Sequence, residues 1–283
     1  MRFRGLLITC LLGPLPACGG MVELDTGNAG GGGVSISVGG NAGSDGSVSH
    51  GGVTVGGSSG SAGHTGGVDG GITACAPGAW VLVGQVSNAR DLGGIALDNG
   101  AHVACGALFR GAAPVGLLDQ GCADFDGLGI RTVIDLRTDY ERLASPDSDC
   151  VIQQASMVLA PMPTPYSVSP AEYLADLNTT DSVAKAFDTL GDESAYPIYF
   201  HCIYGRDRSG VLAAVILLAL GATRDEVMTD YRLSVDGGVG AYPDSLNAVL
   251  DDIDQLGGIE AYLATAGVPK AELAALRARA IAR

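Results

Sequence analysis

The stretch His201-Cys202-Ile203-Tyr204-Gly205-Arg206-Asp207-Arg208-Ser209-Gly210 holds the residues best suited to chemistry. A thiol at 202 and a guanidinium at 208 bracket a short segment that contains Gly205 and is closed by Gly210. An apolar run ending at Tyr199-Phe200 precedes it, and another, Val211 to Leu220, follows. The pattern predicts a tight loop between a strand and a helix N-terminus. Such a loop turns successive N–H groups inward, with the positive end of the helix dipole behind them. An oxyanion fits that cradle, with a thiolate beneath it. A thiol is a useful nucleophile at neutral pH only when its thiolate is stabilised, and the N–H groups of residues 203–208, the dipole and Arg208 would supply this. Arg208 can hold two phosphate oxygens with parallel hydrogen bonds, which a lysine cannot reproduce. The predicted chemistry is attack of Cys202 on a phosphate ester. Ile203, Tyr204, Gly205, Arg206 and Arg208 would bind the phosphate, and Ser209 would offer its hydroxyl to the thiolate when phosphocysteine is hydrolysed. The departing oxygen needs a proton donor. Asp207 lies within the loop, while Asp135 and Asp91 lie on segments able to converge on it.

Several elements must position these groups. Trp80 to Val83 reads as a strand, and Ile95 to Ala104 as a hairpin turning at Asp98-Asn99-Gly100. Leu108 to Gly111 follows, then a helical spacing from Val115 to Leu128 with a stop at Gly129. Thr132 to Arg137 is a strand ending in charge, a frequent place for a site at the carboxyl edge of a sheet. Val151 to Leu159 reads as a further strand, and Pro161, Pro163 and Pro165 mark an irregular loop. Ala171 to Leu190 is helical with a break, and Ile198 to His201 is the strand feeding the key loop. The apolar run after it predicts a buried central helix, too short to span a bilayer. A capping box at Thr223-Arg224-Asp225-Glu226 starts the next helix. Helical stretches then cover 245–255, 259–266 and 270–282. Strands first and helices after indicate an α/β sandwich.

Composition divides the 283 residues. Residues 1–17 have the layout of a secretion signal: Arg2 and Arg4, then the apolar run Leu6 to Leu12. Leu15-Pro16-Ala17-Cys18 resembles the lipobox of bacterial lipoproteins, which implies Cys18 as a lipidated first residue. Gly19 in place of an aspartate directs the expectation to the outer membrane or cell surface of a Gram-negative-type bacterium. Residues 18–74 are dominated by glycine interleaved with small polar residues and lack aromatics beyond Thr26, the composition of a flexible tether. The expected catalytic domain is 75–283. With 31 acidic against 16 basic residues, the chain is too acidic for a nucleic-acid partner. Membrane contact is expected through the lipid anchor only. His50 and His64 are isolated, and neither a metal nor a cofactor is expected. Export permits disulfides, so Cys75, Cys105, Cys122 and Cys150 predict one or two bridges whose pairing spacing alone leaves open.

The loop resembles the Cys-x5-Arg-Ser/Thr-Gly signature of the protein tyrosine phosphatase superfamily. More closely, it is similar to the His-Cys-x-x-Gly-Lys-Asp-Arg-Thr-Gly form of a bacterial secreted tyrosine/lipid phosphatase group. Asn88 to Gly94, Phe109-Arg110, Asp135-Leu136-Arg137, Tyr231 to Ser234 and Ile259 to Leu263 resemble that group's other motifs, in its order. The resemblance implies Cys202 as nucleophile, Arg208 as phosphate clamp and Asp207 as general acid. It also implies a largely parallel central sheet flanked by helices. The substrate would be a phosphorylated protein, or else a phosphoinositide or other small phosphate ester. Arg206 stands where the group has lysine, and Ser209 where it has threonine. The only tryptophan, Trp80, precedes Val81, so no Trp-Pro-Asp loop can deliver an acid. That leaves Asp207 and Asp135 as donors. Asp135 and Arg137 read equally well as a salt-bridged strand end holding the loop. Asp139 and Glu141 read as solvated helix charges, and His201 as a group ordering the thiolate through backbone contacts.

Overall fold

The computed structural model describes residues 75–282. The leader, Cys18 and the tether expected at 18–74 lie outside the described residues. In chain order the elements are β1 (Arg90–Asp91), β2 (His102–Val103), β3 (Leu108–Gly111), α1 (Asp119–Gly127), β4 (Thr132–Asp135), α2 (Asp139–Ala144), α3 (Asp149–Gln154) and β5 (Ser156–Leu159). The helical half follows: α4 (Pro170–Leu177), α5 (Thr180–Gly191), β6 (Ile198–His201), α6 (Arg208–Leu220), α7 (Arg224–Arg232), α8 (Pro243–Gln255), α9 (Ile259–Thr265), α10 (Lys270–Ala280) and a terminal β7 (Ile281–Ala282).

The main sheet has the order β1-β3-β6-β4-β5. Strands β3, β6, β4 and β5 run parallel, and β1 closes one edge antiparallel to β3. This is the expected α/β architecture. The period-two alternation of strand side chains divides the core. Leu108, Ile134, Ile198 and Phe200 point to the face covered by the large helical half, where α6 is buried almost from end to end. Phe109, Val133 and Tyr199 point to the opposite face, against Phe125 of α1 and Val151 of α3. Full burial of a Val, Leu or Phe side chain contributes about 1.5–3 kcal/mol relative to exposure, so the apolar α6 anchors the helical layer. It stops at Gly221, whose φ of 100° suits a residue without a β-carbon.

Register brings the carboxyl ends together. Gly111 of β3 and Asp135 of β4 both lie beside His201 at the end of β6. The loop that leaves β6 therefore sits at the sheet's carboxyl edge, between the exits of β3 and β4.

Four sequence expectations change. Trp80 to Val83 is not a strand: only Trp80 bridges Arg90, while the Val81 N–H still reaches the Ala89 carbonyl. Val151 to Leu159 splits into the end of α3 and β5, because a helix turns Val151 into the core while Cys150 faces α1. The last helix ends at Ala280, and Ile281–Ala282 pairs with β2. The hairpin at Asn99-Gly100 survives as a single bridge between Ala96 and His102, since β2 is also taken by β7. The four cysteines form two bridges, Cys75–Cys105 and Cys122–Cys150.

Candidate active site

Cys202 is the one cysteine among the described residues outside a disulfide, and it is buried at the end of β6. The next five residues wrap over it before α6 begins at Arg208. None of the backbone N–H groups of residues 203 to 207 has an acceptor among the described residues. The N-cap of α6 is Asp207, and no side chain caps the helix, so its first N–H groups add to this donor set. The helix dipole places partial positive charge at the same point.

The carbonyl side of the loop is satisfied. Asn88 Nδ2 and Arg110 Nη2 both donate to the Gly205 carbonyl at 2.9 Å. Arg110 Nη1 and Arg90 Nε reach opposite oxygens of Asp230 at 2.6 and 2.7 Å, in a fully buried ion network. Burial and the neighbouring Arg90 pull the Arg110 guanidinium down to about 10, with Asp230 opposing them. Burial pushes Asp230 up, but Arg90 and Arg110 outweigh it and hold the carboxylate below its usual range. Gly205 has a φ of 65°, and a β-carbon there would lie 2.1 Å from the Gly111 carbonyl carbon. Any side chain would push the loop off β3.

Arg208 is buried, and its two Nη atoms donate to the two carboxylate oxygens of Glu141 at 2.7 and 2.8 Å. Its Nε and the Ser209 hydroxyl are buried with no hydrogen-bond partner among the described residues. Glu141 fixes the guanidinium plane from one edge and leaves the Nε edge for a ligand. Glu141 is therefore not the solvated helix charge that was expected, whereas Asp139 is exposed. Burial pushes Glu141 up, yet hydrogen bonds from Arg208 and the Thr138 backbone dominate and hold it at about 2. The Thr138-x-x-Glu141 capping box could have located it.

Asp207 lines the small cavity over Cys202, whose volume is about 130 Å³. Its Oδ1 accepts from Tyr173 Oη at 2.5 Å and from Arg206 Nε at 2.8 Å. Its Oδ2 takes a single 3.1 Å contact from Arg206 Nη2. Tyr173 in turn pairs with Tyr231 at 2.6 Å, and the Tyr242 N–H donates to Tyr231 Oη. Arg206, expected among the phosphate-binding residues, instead spends its guanidinium on Asp207 and the Val239 carbonyl. It also stacks 4.6 Å from the Tyr242 ring centroid. Of its polar groups facing the loop, the backbone N–H is the one left without an acceptor among the described residues. Ile203 and Tyr204 keep partly exposed side chains at the cavity rim.

Asp135 is elsewhere. It is fully buried, does not line the cavity, and binds Arg137 Nη2 at 2.7 Å. Arg137 also binds Asp147, and His201 lies between the two acids, 3.3 Å from Asp147 and 3.9 Å from Asp135. Burial pushes His201 down, but Asp147 and Asp135 outweigh it and raise its pKa. Asp135, Asp147 and His201 are close enough to hold a metal ion. Arg137 already fills that role with its own charge, so the salt-bridged reading of Asp135 describes what the geometry shows. Asp91 also lies apart, accepting from the Gly93 and Gly106 N–H groups.

Sequence reasoning did not find Asp230, Tyr173, Asp147 or the segment Thr164 to Val168 that walls the cavity. Asp230 had a partial signal, since it directly precedes the Tyr231 to Ser234 motif.

The chain is similar to known proteins. An inferred tyrosine-protein phosphatase of Cupriavidus necator is 30% identical over 164 residues, covering 52% of this chain and 59% of that protein. A tyrosine-protein phosphatase of Nostoc commune is 27% identical over 195 residues, covering 54% and 66%. The chain thus spans less than two thirds of either relative. Among solved structures, P. aeruginosa TpbA is similar at 18% identity, with a TM-score of 0.36 over 59% of this chain and 90% of that one. A family model for the tyrosine phosphatase family matches residues 81–282, from the segment before β1 to the end of β7, and the chain belongs to that family.

Proposed function

We propose that the chain hydrolyses phosphotyrosine monoesters through a phosphocysteine intermediate on Cys202. One observation carries the reading: a buried free thiol under a loop whose carbonyls are bound from behind and whose N–H groups have no acceptor. Polar groups in a protein interior are normally satisfied, so such a one-sided loop is built for an anion with several oxygens. The Cys202 sulfur attacks phosphorus and the bond to the tyrosyl oxygen breaks. Arg208 Nε and the loop N–H groups carry the equatorial charge. The departing oxygen takes a proton from Asp207, whose Oδ2 is the less engaged oxygen. Water then attacks phosphorus, gives its proton to Asp207, and releases phosphate and the thiolate. Ser209, with its hydroxyl unpaired, supports the leaving sulfur in that second step. The aromatic rim of Tyr166 and Tyr204 suits an aryl ester.

The same reading places the enzyme outside the cytoplasm, anchored through Cys18. The two disulfides support an oxidising compartment, and the anchor rests on the leader sequence. Turnover of p-nitrophenyl phosphate and of a phosphotyrosine peptide should vanish in Cys202→Ser. If that variant hydrolyses either ester at the wild-type rate, the mechanism is wrong. Faster wild-type turnover of a phosphoinositide than of the peptide would transfer the assignment to lipid substrates.

A further inference from the structure

A second groove, of about 400 Å³, adjoins the catalytic cavity. Ala113, Val115, Tyr140, Ala144 and Ile203 form its walls. Ile203 directly follows the nucleophile, and both Ile203 and Glu141 line the two spaces, so the groove is continuous with the catalytic cavity. Tyr140 is 81% exposed and Ile203 37%, an apolar surface left open to solvent beside a polar site.

The charged groups that reach the groove are already committed. Arg137 is bound by Asp135, Asp147 and the Ser145 carbonyl. Glu141 is bound by Arg208 and the Thr138 N–H. A charged occupant would find no free partner and would lose its hydration, which is costly. An apolar occupant loses nothing and covers exposed carbon.

Resting on the phosphotyrosine reading above, we propose that this groove binds an apolar side chain of the substrate peptide, one or two residues from the phosphotyrosine. An extended peptide advances about 3.3 Å per residue, so a side chain one or two positions along lies within reach of a groove that shares Ile203 and Glu141 with the catalytic cavity. A phosphoinositide would bring further phosphates and require free cations near the cavity. Arg137 and Arg206 each hold a carboxylate instead, and Arg208 is taken by the scissile phosphate, which favours a peptide carrying one phosphate.

The test uses phosphotyrosine peptides that differ only in Leu or Asp at each of the two positions on either side. Wild type should prefer a Leu peptide by about tenfold or more in kcat/KM at one of those positions. Ala144→Trp, at an exposed site on α2, should fill the groove and abolish that preference. Val115→Lys should reverse it. Both variants should keep the wild-type rate on p-nitrophenyl phosphate, which does not reach the groove. The proposal is overturned if wild type shows no preference, or if the preference survives both substitutions. It is equally overturned if Ala144→Trp lowers turnover of phosphatidylinositol monophosphate in phosphatidylcholine vesicles and leaves the peptides unaffected. Loss of the phosphotyrosine reading itself would show differently, as wild-type inactivity on every aryl phosphate.

Discussion

The two sides of the Cys202–Arg208 loop obey opposite rules. Behind it, Asn88, Arg90, Arg110 and Asp230 form a network in which the loop carbonyl at Gly205 receives two donors and two buried arginines share one carboxylate. In front of it, five loop N–H groups, Arg208 Nε and the Ser209 hydroxyl have no partner among the described residues. The rear is complete except for Arg110 Nε, whereas the front is largely unpaired. Polar groups left unpaired are expensive, so the rear must supply the rigidity that keeps the front open. This division predicts that rear substitutions damage stability, whereas front substitutions damage turnover.

Asp230→Asn should be the most damaging, since it leaves Arg90 and Arg110 buried without a counter-charge. Losing one partner of a buried pair costs about 3–5 kcal/mol, read as a lowered urea midpoint. The molecules still folded at low urea should keep kcat within about tenfold of wild type. A collapse of kcat at an unchanged midpoint would erase the distinction between the two sides. Next in size, Arg208→Lys should lower kcat on p-nitrophenyl phosphate by about 10²–10³ in assays below the unfolding transition. A lysine cannot meet Glu141 and a phosphate in one plane. Asp207→Asn should cost about 10² in kcat on phenyl phosphate and less on p-nitrophenyl phosphate, whose leaving group needs no proton. Equal losses on both esters would remove Asp207 as the acid.

The smallest effect tests a boundary case. Asp176 on α4 is buried with one oxygen unpaired. Burial drives its pKa to about 8, with Arg208 opposing and Asp207 reinforcing the shift. The folded form keeps a proton that the unfolded chain releases near pH 3.9, so stability should fall as pH rises from about 4 to about 8. Asp176→Asn should flatten that slope in urea midpoints measured across the range. A slope as steep as wild type would assign the pH dependence to another group.

How much of this was legible varies with sequence distance. The loop, its strand and its helix are contiguous, and local pattern placed all three. That Asp207 faces the cavity was readable because Asp207 sits within the loop. Glu141 was half readable: its capping box with Thr138 is local, but its ion pair with Arg208 spans 67 residues. Asp230 lies 140 residues from Arg90, and Tyr173 lies 34 from Asp207. No periodicity reports such pairings. Asp135 shows the converse. A strand ending in charge at the sheet's carboxyl edge is a site signal, yet the segment after β4 brings Arg137, and the turn between α2 and α3 brings Asp147, into an ion network that buries it away from the cavity.

The sequence by itself determined the strand, loop and helix around Cys202 and Arg208, because these follow from short spacings along contiguous elements, and its resemblance to the family implied the parallel sheet. Only the tertiary structure decided which carboxylates face the cavity and which serve as buried counter-ions. It also decided that Arg206 is committed to Asp207, and that the four cysteines pair as 75–105 and 122–150. Those outcomes depend on the order in which strands join the sheet. Strand order sets which distant residues meet, and burial then sets the charge each can carry.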